Sequence, residues 1–382
     1  MRIEAPWAKT GPAQAVCAVL TGAGYRAWFV GGCVRNALIG AKPGDLDLTT
    51  DAVPDRVLEL ALAAGLRAIP TGFAHGTVTI LAENQPIEVT TLRRDVTTDG
   101  RHAVVEFADT IDQDARRRDF TMNALYALPD GTVIDPLGGL PDLMAGHVRF
   151  VGDPEARITE DYLRILRFFR FHAWYGDPSH GIDADGLAAC AAHLDGLHGL
   201  SRERVGAEMR KLLAAPDPAP AVAAMRSCGA LLRLLPGAGT GLLTVLIHVE
   251  HVAGLPPDPI RRLAALGGDG AQDAFRLSNA EAAKLARYRD GLENDMPADA
   301  LGYHLGAAEA VDILALRAAA SERELDPVQA QSARFGAVQI FPVRAVDLMP
   351  VLQGPALGRA LKDIETRWIA SGFGLSRAQL LG

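Results

Sequence analysis

The sequence predicts an α+β protein in which a small mixed sheet comes first and helices fill the rest of the chain. Short β-rich runs bounded by turn residues lie before about residue 140, at Tyr25–Val30, Gly76–Ala82, Pro86–Leu92 and Gly131–Leu137. After Pro141 these give way to alanine- and leucine-rich runs separated by Pro and Gly. A balance of 49% hydrophobic to 22% charged residues over 382 positions is that of a folded chain with room for two or three domains.

In order, Ala13–Ala23 reads as a helix, and the strand after it ends at Gly31-Gly32, with a helix starting near Cys33. A further helix is expected over Pro54–Gly65, between the first strands. The breaks at "AAPDPAPA" (Ala214–Ala221) and "GLPPDP" (Gly254–Pro259) read as connections inside a helical region. The domains expected are 1–140, 141–215 and 216–382. A net charge of −8 argues against a generically basic nucleic-acid coat, though it leaves room for a local basic groove. Cys17, Cys33, Cys190 and Cys228 form no metal spacing and suit a reducing compartment, so the cytoplasm is expected. The N-terminus lacks the signal-peptide pattern and no apolar window is long enough for a membrane helix, so no membrane partner is expected.

The segment "FVGGCVRNALIGAKPGDLDLTT", Phe29–Thr50, carries the first chemistry. On a strand, Asp45 and Asp47 share a face while Leu46 points to the core. That places two carboxylates as Mg²⁺ favours them, as oxygen ligands used together with substrate phosphates. Taken alone, DxD is read more simply as a turn with solvated acids. The preceding strand, Gly-Gly turn and helix start shift the weight, because they offer backbone N–H groups to a phosphate with Arg35 one turn further on. Glu88, between Ile87 and Val89, is expected on the open face of its strand, either near the two aspartates or simply in solvent.

"RITEDYLRILRFFRFHAWYG", Arg157–Gly176, is expected to be one helix capped by Thr159, with Glu160 and Asp161 in its first turn. Steps of three from Asp161 give Arg164, Arg167 and Arg170, while the other two step-three series are nearly all apolar. Two readings weigh evenly: a stripe lining a cleft where it meets acidic groups, or an Asp161–Arg164 pair contributing about 0.2–0.5 kcal/mol with surface arginines. An Asp and an Arg together match the donor-and-acceptor pairing edge shared by cytosine and adenine, which uracil and guanine invert.

Taken in order, these segments resemble the class II tRNA nucleotidyltransferases, the bacterial CCA-adding enzymes and their poly(A) polymerase relatives. "GGCVRNALIG" with "DLDLTT" is similar to the family's first motif, which implies Gly32 and Arg35 at the nucleotide phosphates and Asp45 and Asp47 at Mg²⁺. Asn36 departs from the aspartate usual there. "RRRDFTMNALY" resembles the second motif and implies Arg118 and Asp119 at the incoming nucleotide; on its own it is a basic turn with Asp119 as a cap. "DPLGGLPDL" resembles the joint between head and neck. "EDYLRILRFFR" resembles the template motif, implying Asp161 and Arg164 as base readers with Arg167 and Arg170 at the triphosphate. "LSRERVGAEMRKLL" resembles the segment that buttresses the neck, where Arg204 and Glu208, at i,i+4, read as structural.

The resemblance implies a polymerase-β-like nucleotidyltransferase head followed by an all-α neck, body and tail, curved to hold the tRNA acceptor arm. It implies Mg²⁺-dependent addition of CCA to tRNA from CTP and ATP. "TLRRDVTTDGRHAVVEF" resembles the flexible loop of full CCA-adding enzymes. The competing readings are poly(A) addition, addition of only CC or only A, and a noncatalytic RNA-binding protein; retention of both Asp45 and Asp47 argues against the last. His248 and His251 form no HD metal motif, so no phosphohydrolase domain is expected.

Overall fold

The computed structural model describes residues 1–42, 44–99, 102–349 and 351–382, with side chains throughout except at 95–99 and 102–105. The chain forms two compact units, Met1–Leu234 and Leu235–Gly382.

In the first unit, helix α1 (Pro12–Gly22) precedes strand β1 (Ala27–Val30), which is buried along its whole length. Gly31 follows with φ 69° and ψ −120°, a conformation that a side chain would strain, and turns the chain into α2 (Gly32–Leu38). Next come β2 (Asp47–Thr50), α3 (Pro54–Ala63), β3 (Arg67–Gly72), β4 (Thr77–Ala82) and β5 (Gln85–Thr91). Glu83 and Asn84 join β4 to β5, both with positive φ, the backbone of a tight two-residue hairpin. Strands β6 (Arg93–Asp99) and β7 (His102–Phe107) pair only with each other among the described residues, and α4 (Ile111–Arg116), β8 (Tyr126–Ala127) and β9 (Val133–Ile134) complete the mixed region.

Among the described residues, seven strands make one sheet in the order β3-β4-β5-β2-β1-β8-β9, with β2 and β5 parallel and every other pair antiparallel. The threonines that end β2 and β5 bond backbone carbonyls, Thr50 Oγ1 to Arg26 at 2.7 Å and Thr91 Oγ1 to Ala52 at 2.7 Å, so their burial leaves no hydroxyl stranded.

Several expectations are corrected. The strand over Gly131–Leu137 shrinks to Val133–Ile134, and β2 starts at Asp47, so Asp45 precedes the strand. The segment likened to a flexible loop forms the β6–β7 pair, while its Gly100 and Arg101, like Pro43 of the Gly/Pro turn, lie outside the described residues.

The helix expected from Arg157 is two helices. After α5 (Gly139–Met144), α6 (Pro154–Glu160) ends at Asp161, whose backbone is extended, and α7 (Leu163–Tyr175) begins two residues later. Asp161 Oδ1 accepts from the Leu163 amide at 3.1 Å, a local bond by which an aspartate competes with helix continuation. Thr159 caps nothing: its hydroxyl donates back to the carbonyls of Glu155 and Ala156, and Asp153 is the N-cap of α6. Helix α7 buries Ile165, Leu166, Phe168, Phe169 and Phe171. Phe120 lies 4.9 Å from Phe150 and 4.8 Å from Phe171, ring to ring, which fixes the turn after Arg118 against α7. The unit closes with α8 (Ala184–Ala192), α9 (Arg202–Leu213), α10 (Ala219–Ser227) and α11 (Ala230–Leu234).

The second unit is helical: α12 (Gly241–Ala253), α13 (Pro259–Leu266), α14 (Ala271–Ala274), α15 (Asn279–Glu293), α16 (Ala298–Leu305), α17 (Ala307–Ala320), α18 (Pro327–Ala337), α19 (Gly354–Ala370) and α20 (Arg377–Leu381). Helices α16 and α18 meet backbone to backbone. A Cβ at Gly302 would sit 1.9 Å from the Ala333 carbonyl oxygen, and one at Gly336 1.9 Å from that of Asp299, so only glycine permits this crossing. Arg261 and Arg262 are both buried in α13 and share Glu250 of α12, which accepts from Arg261 Nε at 2.8 Å and Arg262 Nη2 at 2.7 Å. Arg261 also pairs with Asp312 of α17. His248 and His251 are exposed on α12. No helix among the described residues is long and apolar enough to cross a membrane.

Candidate active site

The site is built on the strand ends beside the Gly31-Gly32 turn. Asp47 pairs in register with Glu88 on the parallel neighbour β5, and in-register neighbours project to the same face. Glu88 is exposed and its flanking residues Ile87 and Val89 are buried, while Leu46 is buried between exposed Asp45 and half-buried Asp47. The alternation expected of both segments is therefore present.

Burial, then the nearby Glu88, then Asp45 push the Asp47 carboxyl from its ordinary 3.8 up to about 6, against the opposing pull of Arg118. No protein group donates a hydrogen bond to that carboxylate among the described residues. A half-buried carboxylate crowded by two others and left without donors is suited to a divalent cation. No three acidic, His or Cys side chains among the described residues are grouped to hold a metal ion, so an ion here would need water and phosphate oxygens to complete its shell.

Arg118 reaches over the turn from the other side. A Cβ at Gly31 would lie 3.3 Å from Arg118 Nη1, so the absent side chain leaves room for the guanidinium. Arg118 is held by Asp114 Oδ2 at 2.9 Å and by the Tyr126 hydroxyl at 3.1 Å, and Asp114, fully buried, also accepts from Arg117 Nε at 2.7 Å. Burial opposes its ionisation, but Arg118 and Arg117 together hold the Asp114 carboxyl well below the usual range. Asp114 was not singled out from the sequence, although its i,i+3 and i,i+4 spacing to Arg117 and Arg118 was a usable signal.

Asp119 is buried and satisfied. It accepts from the Phe120 amide at 2.9 Å, from Asn123 Nδ2 at 2.9 Å and from Arg167 Nε at 2.8 Å. Burial again opposes ionisation, and Arg167 with Asn123 overcomes it, holding the carboxyl far below its ordinary value.

The arginines of α7 meet carboxylates one by one: Arg164 pairs with Glu160, Arg167 with Asp119, and Arg170 Nε with Glu208 Oε2 at 2.5 Å. Asp161 does not bond the Arg164 side chain. Its Oδ2 accepts from Arg204 Nη2 at 2.6 Å, so each member of the expected base-reading pair is held by a different partner. Arg204 and Glu208 of α9 reach across to the Asp161 break and to α7. A cavity of about 550 Å³ next to these groups is lined by Arg116, Arg149, Arg157 and Glu160 among others.

Arg35, expected at the phosphates, is buried. Its Nε and Nη2 donate to Asn36 Oδ1 at 3.1 and 2.9 Å, Nη2 donates also to the Tyr175 hydroxyl at 2.7 Å, and Nη1 donates to Asn123. The guanidinium carbon lies 4.0 Å from the Tyr175 ring centre. Burial lowers its pKa. A Cβ at Gly32 would come 3.7 Å from Arg35 Nη2, so the cation sits directly beside the glycine turn. Asn123 and Tyr175 link elements far apart in sequence, and no local pattern marked them.

Residues 27–149 match the Poly A polymerase head domain, and residues 181–240 match the family described as the probable RNA and SrmB-binding site of polymerase A. A mitochondrial CCA tRNA nucleotidyltransferase 1 of Mus musculus is 41% identical over 239 residues, 62% of this chain and 55% of that protein. A CCA-adding enzyme of Levilactobacillus brevis is 40% identical over 208 residues, 54% of this chain and 51% of that enzyme. The chain thus spans about half the length of the curated relatives it matches. The crystal structure of the Bacillus stearothermophilus CCA-adding enzyme in complex with CTP superposes with a TM-score of 0.77 at 28% identity, covering 94% of this chain and 92% of that one. The head-domain match, residues 27–149, takes in every strand from β1 to β9. Over these matched regions the chain is similar to tRNA nucleotidyltransferases and to poly(A) polymerases.

Proposed function

We propose that this protein adds CCA to the 3′ end of tRNA from CTP and ATP, releasing pyrophosphate. The observation that carries the reading is Asp47: a half-buried carboxylate without donors, opposite Glu88, beside Asp45 and within the field of Arg118. Residues 1–140 form the catalytic head, 141–215 the neck that reads the base, and 216–382 the body and tail that hold the tRNA acceptor arm. Asp45 and Asp47 hold Mg²⁺. The chemistry supplied by the bound ion is acidification of the terminal ribose hydroxyl and neutralisation of the leaving pyrophosphate.

The chain's own residues position the reactants. Gly32 offers an unobstructed amide to the phosphates, Arg35 and Arg118 flank them, and Arg167 and Arg170 add positive charge from α7. Asp119 orients Arg167 and the turn that carries Arg118. Asp161 and Arg164 read the pairing edge, the carboxylate accepting from the amino group and the guanidinium donating to the ring nitrogen. Arg204 fixes the first and Glu160 the second. The tRNA body is held through its phosphates and shape. Four free cysteines, three of them buried, suit a reducing compartment, which favours the cytoplasm.

The test is incubation with tRNA that ends before CCA, supplied with labelled CTP or ATP. Incorporation of two CMP and then one AMP is expected. Absence of CMP incorporation defeats the reading, and AMP tracts without CMP shift it to poly(A) addition.

Asp161→Ala is expected to retain incorporation but lower the preference for CTP and ATP over UTP and GTP by about tenfold to a hundredfold. The measurement is kcat/KM for all four nucleotides, and unchanged ratios remove Asp161 from base reading.

A further inference from the structure

Each of Arg118, Arg164, Arg167 and Arg170 has a carboxylate partner, and of the arginines assigned to the nucleotide Arg35 alone has none among the described residues. Its hydrogen-bond partners are Asn36, Asn123 and Tyr175, all neutral. Four of its five N–H groups are used: Nε once, Nη2 twice and Nη1 once. The more distant charges oppose one another, with Asp119 favouring the cation and Arg170 disfavouring it. The shape of the pocket is thus satisfied while its charge is left over, beside the Gly31-Gly32 turn. The residue that makes the difference is Asn36. Its Oδ1 takes two of the four bonds, in the place where an isosteric aspartate would form a two-bond ion pair. Its Nδ2 donates to the Lys42 carbonyl at 3.0 Å and so also ties down the start of the loop leading to Asp45.

We propose that Asn36 is a positioning residue for nucleotide binding: it orients the buried Arg35 without neutralising it, so that the cation's charge is reserved for the polyphosphate of the incoming nucleoside triphosphate. The inference rests on the nucleotide-transfer reading above and adds a determinant of affinity to it. A carboxylate at position 36 would face the same polyphosphate across Arg35, in a partly desolvated site where charges are weakly screened. Base identity does not enter, so CTP and ATP are affected alike.

The experiment measures the equilibrium Kd of CTP and ATP together with KM and kcat on truncated tRNA, for the wild-type chain, Asn36→Asp and Asn36→Ser. Asn36→Asp is expected to raise Kd and KM for both nucleotides by about tenfold and to leave kcat within about twofold. Asn36→Ser gives up both Arg35 bonds as well as the Lys42 contact but adds no charge, and is expected to raise Kd by about threefold, less than Asn36→Asp. The proposal is overturned if Asn36→Asp leaves Kd unchanged, if Asn36→Ser weakens binding as much as Asn36→Asp, or if the effect falls on kcat. Tight triphosphate binding without incorporation defeats the transfer reading alone, because the Kd comparison still decides the role of Asn36.

Discussion

Replacing Asp47 with alanine abolishes nucleotide incorporation, by a factor of at least about a thousand, while CTP and tRNA remain bound. The expectation follows from its place on β2, where it supplies the half-buried member of the carboxylate pair. Incorporation by the variant within tenfold of wild type contradicts the assigned role. The same residue leaves a second signature in the metal-free protein. Its carboxyl titrates near 6 when folded, against an ordinary 3.8 in the unfolded chain. The folded state therefore holds the proton more tightly, and the stability this confers is fully present below about pH 4 and lost as pH rises through about 6. Asp47→Asn removes that loss. The gap in urea midpoint between variant and wild type should widen in the variant's favour from pH 4 to 7, and a gap independent of pH contradicts the assignment.

Glu250→Ala destabilises the second unit by about 3–5 kcal/mol, because it leaves Arg261 and Arg262 buried without their shared carboxylate. Asp312 remains for Arg261 and softens the loss at that residue. Replacement of all three groups by apolar residues of similar volume should cost far less, since the penalty comes from buried cations that have lost their shared carboxylate. Chemical denaturation of the full chain, followed by a probe in the second unit, checks both results. A loss below about 1 kcal/mol for Glu250→Ala contradicts the buried triad.

The sequence was most legible where structure is set locally. Alternation correctly placed Leu46 inward with its neighbours outward and Glu88 outward with its neighbours inward, and Pro54 marked the start of α3. It was least legible where one residue had two local options. A helix pattern runs without interruption from Arg157 to Tyr175, yet Asp161 spends its side chain on the Leu163 amide and on Arg204, and the helix stops there. Periodicity averages over such a residue and cannot see a partner on α9. The arginine stripe was readable as a stripe, but the carboxylates facing Arg167 and Arg170 were not: Asp119 and Glu208 lie tens of residues away in the chain. For the same reason Arg35 could be noticed and its burial could not, since Asn123 and Tyr175 close over it from distant elements.

The parallel pairing of β2 with β5 also governs when the head can become competent. Thr49 and Thr90, 41 positions apart, bond across this pair, and β5 is also one arm of the β4–β5 hairpin. Such non-local pairing forms late, after the nearby turns and helices have closed their shorter loops. A slip of one residue would turn Glu88 inward and bring Ile87 or Val89 opposite Asp47. A nascent chain that has released only β1, the glycine turn and β2 thus already carries both aspartates, but it has not yet acquired the neighbour that fixes their surroundings. During synthesis, the competence of the head waits on a strand that is made well after the motif it serves.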